Sequence, residues 1–87
     1  MMSEKAQTLD EKFILRLFHM AMKEGDPSCA LPIQAIARQV GCKETALKNV
    51  IKHLAQANLI RKLGSDSICL TPRGCDLALE LSEEMDG

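Results

Sequence analysis

PIQAIARQVGCKETALKNVIKHLAQANLI, residues 32–60, reads as two helices across a tight corner. The first helix is expected over about 33–40, with Ile33, Ile36, Ala37 and Val40 on its buried side. Gly41 and Cys42 form the corner, where a glycine tolerates positive φ. The second helix is expected from Lys43 or Glu44 to Ala57. In it Leu47, Val50, Ile51 and Leu54 recur at helical spacing on one face. Thr45, Lys48, Asn49, Lys52 and Gln56 fall on the opposite face. The apolar side can anchor such a helix to a small core, and the polar, mostly basic side is what a groove-reading helix needs. Any solvated amphipathic helix shows a similar division, so the flanking sequence carries weight.

Downstream, Leu59-Ile60-Arg61-Lys62-Leu63 reads as a strand and Gly64-Ser65-Asp66-Ser67 as a turn. Ile68-Cys69-Leu70 reads as the returning strand. Thr71 caps a last helix whose first residue is Pro72, and Gly74 permits close packing near the turn. Leu77, Ala78 and Leu81 should pack inward, with Met85 continuing that side. Upstream, Thr8-Leu9-Asp10-Glu11 is a capping box that opens a helix from Leu9 to about Glu24. Gly25-Asp26-Pro27 ends it. Cys29-Ala30-Leu31 reads as a short strand, and Pro32 starts the next helix.

In this order the chain resembles the winged helix-turn-helix superfamily, and MarR-type bacterial regulators within it. The resemblance rests on Ile36-Ala37, Gly41, Leu54 through Leu59-Ile60, and Leu70-Thr71-Pro72-Arg73-Gly74 closing the wing. It covers roughly residues 29–81. It implies a mostly α fold with a small β-wing, ordered α-β-α-α-β-β-α, as a single domain over 9–85 after a flexible start at 1–8. It implies sequence-specific binding of double-stranded DNA by a homodimeric transcriptional regulator, with the 43–57 helix in the major groove. It also implies that the strand near Ala30 and Leu31 pairs with the second wing strand, which would bring Cys29 near Cys69. Two positions depart from the family pattern. Lys43 stands where Ser or Thr usually caps the reading helix, and the wing tip carries Asp66 but no base.

Charge supports the resemblance through its distribution. The formal net charge is −1, which by itself looks wrong for a DNA binder. Residues 27–75 carry seven basic and two acidic groups, whereas residues 76–87 carry five acidic groups and no basic one. Residues 1–26 carry four basic and five acidic groups, so the net acid is concentrated in the tail and the reading unit is basic. Lys43, Thr45, Lys48, Asn49, Lys52, Arg61, Lys62 and Arg73 are the candidate DNA contacts. Asn can bond adenine in a bidentate manner, and Lys can reach guanine or phosphate.

Eighty-seven residues make one small domain with a limited core. The composition, 46% hydrophobic and 26% charged, is that of a globular chain. Two Phe and no Trp or Tyr argue against stacking of single-stranded nucleic acid. No run is long enough for a membrane span, and the start lacks signal-peptide character, so a cytoplasmic location is expected. Cys29, Cys42, Cys69 and Cys75 fit no zinc spacing and are expected to act as small, reduced hydrophobes. His19 and His53 are expected as packing or rim residues, and no cofactor is expected. No nucleophile triad, carboxylate pair, phosphate loop or metal cluster points to an enzyme.

The first helix carries more apolar residues than one stripe needs. Phe13, Ile14, Leu17, Phe18 and Ala21 form the stripe; Met20 falls outside it, as do Leu15 and Met22. With Leu79 they are expected to form a partner surface, most simply for a second copy. The neutral total charge and acidic wing tip support an alternative, a winged-helix module that binds proteins within a larger assembly without binding DNA.

Overall fold

The computed structural model describes the backbone of residues 8–86 and the side chains of residues 8–83. The expected loose start before Thr8 and the inward side of Met85 lie outside the described residues. The elements are α1 (Leu9–Lys23), β1 (Leu31–Pro32), α2 (Ile33–Val40), α3 (Glu44–Gln56), β2 (Ile60–Leu63), β3 (Ser67–Leu70) and α4 (Pro72–Asp86). This is the expected α-β-α-α-β-β-α order.

α1 begins at the capping box. The Glu11 N–H donates to Thr8 Oγ1 at 3.1 Å, and the Thr8 N–H donates to Glu11 Oε1 at 3.1 Å. It stops because Gly25 takes φ 97°, which lets the Asp26 N–H reach back to Ala21 O at 3.2 Å. α2, α3, α4 and β3 all pack on α1. The expectation that Leu15 lies on an outer face is therefore overturned: Leu15 is only 5% exposed. At about 100° per residue, the buried positions Phe13 to Ala21 sweep an arc of about 200° around the helix. That is twice the usual stripe, because α1 has neighbours on three sides. Met22 and Leu79 do face outward, at 48% and 49% exposure.

β1 is displaced from its expected place at 29–31. Pairing starts only where β3 comes alongside, with Leu31 opposite Ile68 and Pro32 opposite Ser67. Pro32 is consequently the N-cap of α2 and not its first residue. The Ile33 N–H, first in α2, donates to Asp66 O at 2.8 Å and ties that helix to the wing tip. β2 and β3 pair antiparallel, so the sheet order is β1-β3-β2. Ile60, Ile68 and Leu70 point into the core beneath it.

The junction between α3, β2 and α4 is held by a small knot of backbone. Asn58 takes φ 62°, and the Leu59 N–H returns to Leu54 O at 2.9 Å. Thr71 Oγ1 donates to Asn58 O at 2.6 Å and accepts the Gly74 N–H at 3.0 Å. The Thr71 N–H donates to Leu59 O at 3.1 Å. A Cβ on Gly74 would lie 2.0 Å from Leu59 O, closer than any real contact. Overpacking of this kind costs about 1–3 kcal/mol. Gly74→Ala should therefore lower the thermal midpoint by roughly 10 °C despite alanine's better helix propensity. An unchanged midpoint by circular dichroism would show that Leu59 can move aside cheaply.

Candidate nucleic-acid interface

α3 is positioned by its apolar face and leaves the other face free. Leu47, Val50, Ile51 and Leu54 are buried against the core. Thr45, Lys48, Asn49, Lys52 and Gln56 are all exposed. At helical spacing these five occupy an arc of about 100°, centred opposite the buried four. The sequence places one polar row on one side of one helix, and the packing keeps it in solvent.

The corner before α3 is built as the sequence suggests. Gly41 takes φ 78°, and Ala37 O accepts N–H bonds from both Gly41 at 2.8 Å and Cys42 at 3.0 Å. Lys43 then serves as N-cap in extended conformation, with no side-chain cap bond. Its carbonyl accepts the Leu47 N–H at 2.7 Å. The exposed Lys43 ammonium thus stands beside the uncapped first turn of α3, where the helix dipole is positive.

The wing residues do not act as one group. Arg61 lies opposite Cys69, and Lys62 lies opposite Ile68. Successive strand residues point to opposite faces. Lys62 therefore shares the sheet face of buried Ile68, and Arg61 projects from the outer face beside Cys69. Both are exposed, as are Asp66 at the wing tip and Arg73 in the first turn of α4. Arg38 on α2 is exposed as well, a base outside the sequence-based set of candidate contacts. Its neighbours Gln34 and Gln39 are also exposed, so this side of α2 offers polar groups next to the corner.

No family model matches the chain, and no curated protein matches it in sequence. Solved structures do. AF1382 from Archaeoglobus fulgidus superposes with a TM-score of 0.74 at 19% identity, covering 88% of this chain and 84% of that one. A MarR-family transcriptional regulator from Silicibacter pomeroyi gives 0.71 at 18% identity, over 91% of this chain and 52% of that one. NadR in complex with 4-hydroxyphenylacetate gives 0.69 at 28% identity, over 91% and 55%. The chain is a winged helix-turn-helix, of the form found in MarR-family regulators. It spans about half the length of NadR and of the Silicibacter regulator.

In this winged helix none of the four cysteines lies on α3, and Cys42 is at the corner before it. All four are free and half-buried. Continuing the register of β1 on β3 sets Ala30, not Cys29, opposite Cys69. Cys29 instead sits in the loop that follows α1, its N–H bonded to Asp26 O at 3.0 Å. Cys75 packs against the same loop, its Sγ 3.9 Å from Pro27 O. Burial pushes the Cys75 thiol above its ordinary value, and the nearby Asp76 and Asp26 carboxylates add to that while Ser28 opposes it. Burial raises Cys42 too. His53 is largely exposed, its Nδ1 3.9 Å from Asp10 Oδ2, and His19 is exposed on α1.

A raised thiol is less often the reactive thiolate near neutral pH. Cys75 should react with a maleimide several-fold more slowly in the native protein than in urea at the same pH. Mass spectrometry of the peptide after timed pulses measures this, and equal rates would show that the thiol is neither shielded nor raised.

Proposed function

We propose that this winged helix binds double-stranded DNA in a sequence-specific manner, as a homodimeric transcriptional regulator of the MarR kind. The observation that carries the reading is the polar row of α3, exposed along its whole length on the side opposite its core contacts. Asn49 and Thr45 are suited to base edges, and Lys48 and Lys52 to guanine or phosphate. Lys43 and the uncapped amides behind it suit a backbone phosphate. Arg73 and one of the two wing bases would extend the contact, since Arg61 and Lys62 diverge across the sheet. The likeness to a MarR-family regulator supports the same role, and NadR adds a second relative at slightly higher identity.

A dimer would set two copies of α3 about one helical turn of DNA apart. Met22 and Leu79 are exposed apolar residues that a second copy could cover. Leu15 has no part in that surface.

Fluorescence anisotropy of a labelled generic duplex tests the reading at about 50 and 200 mM salt, where counterion release is visible. Binding should be evident at the lower salt and collapse at the higher. Lys48→Ala with Lys52→Ala should reduce the slope of log K against log salt by about 2 without unfolding the domain. Absence of binding at low salt would sink the proposal and favour a protein partner.

A further inference from the structure

The buried residues of α3, Leu47, Val50, Ile51 and Leu54, fix a centre line for its core side. At about 100° per residue, Thr45, Asn49, Lys52 and Gln56 all fall within about 30° of the line diametrically opposite. These four point straight out of the domain, and each is exposed. Lys48 and His53 stand about 70° to either side of that line. The polar side of α3 is therefore a central line with two flanks, and its two lysines differ in place. Lys52 is on the line, and Lys48 is on a flank. On the other flank His53 Nδ1 lies 3.9 Å from Asp10 Oδ2, so a carboxylate stands beside that edge.

A helix seated in the major groove sends its outermost line to base edges and its flanks to the phosphate walls. The chemistry of the line narrows what it can read. It holds no carboxylate to accept from the cytosine amino group, and α3 holds no arginine, the commonest bidentate partner of guanine. It holds two amides, and an amide side chain can donate to adenine N7 while accepting from the adenine N6 amino group. Asn49 lies in the N-terminal half of α3, the part of a reading helix that reaches bases, whereas Gln56 is the last residue of the helix. Along the axis Lys52 stands about 4.5 Å from Asn49, which spans about one to two base-pair steps. The wing offers no second reader, because residues 64–67 at its tip carry Asp66 and no cationic residue. An anionic tip is disfavoured in the minor groove, where the potential is negative.

We infer that Asn49 selects an adenine in the major groove, that Lys52 takes a guanine close beside it, and that Lys48 takes a phosphate and no base. This rests on the DNA binding proposed above and names what that site recognises. Both lysines displace counterions, so both contribute to affinity and to its salt dependence. They differ in sequence choice alone. Thr45 can bond to any of the base pairs and adds little discrimination. Base choice therefore rests on the central line of α3, and the minor groove has no part in it.

Selection by the full chain from a pool of duplexes with a randomised central stretch tests this. The wild type should enrich an adenine with a guanine close by, each favoured about tenfold over the alternatives. Asn49→Ala should lose the adenine preference and keep the guanine, and Lys52→Ala should do the reverse. Lys48→Ala should weaken binding to all sequences by the same factor and leave the motif unchanged. All three side chains are exposed, and circular dichroism should show each variant folded. Base analogues in the selected duplex repeat the test without altering the protein. Replacing N7 of that adenine by carbon should weaken binding about tenfold, whereas inosine in place of guanine removes only a minor-groove amino group and should leave binding unchanged. A motif that survives Asn49→Ala, a motif altered by Lys48→Ala, or indifference to the N7 change would each overturn the inference. A wild type that binds generic duplex but enriches no base would overturn it too, and would leave DNA contact itself standing. Absence of duplex binding at about 50 mM salt would remove the DNA reading and this inference with it.

Discussion

The hydroxyl of Thr71 and the missing side chain of Gly74 hold the architecture at its narrowest point. α3 ends in a left-handed residue, Asn58, and the chain must turn at once into β2. The Asn58 carbonyl that this turn leaves free is taken by Thr71 Oγ1, which in turn receives the Gly74 N–H and so starts α4. One side chain thereby closes the end of one helix and opens another. Gly74 lets α4 approach Leu59 O more closely than any Cβ would allow. The angle between α3 and the wing, and so the direction in which the polar row faces, follows from this contact. Asn is among the few non-glycine residues that take this conformation at modest cost, which is why Asn58 can stand where glycine is usual.

The other constraint is size. A domain of this length cannot build a thick core. It solves the problem by sinking α1 into the middle and surrounding it with α2, α3, α4 and β3. Each surrounding helix then needs only one apolar face. α3 can give its whole outer face to polar residues because α1 supplies so much of the buried area, including Leu15. The unusual apolar content of α1 is thus explained by its burial. Among the described residues, the large apolar side chains left exposed are Met22 on α1, Leu79 on α4 and Leu63 in the wing.

Local chemistry was legible in the sequence, and relations across the fold were less so. The capping box, the stop at Gly25, the span of α2, the corner at Gly41 and the cap at Thr71 each depend on residues within a few positions of one another. All of them could be read in the chain. Leu15 is buried against expectation because periodicity within one helix does not reveal how many neighbours surround it. β1 starts two residues later than its sequence pattern suggests because its place is set by where β3 comes alongside. The polar row of α3 was legible as a single helical face. The divergence of Arg61 and Lys62 was legible too, through strand alternation, although net charge invites them to be counted together.

Segregation of charge then has a consequence for how the domain would meet a polyanion. Acid along α4 and base along α3 and the wing amount to a dipole across a nearly neutral molecule. A uniformly neutral surface would approach DNA in any orientation. A segregated one is turned by the field before contact, with α4 held away and α3 presented.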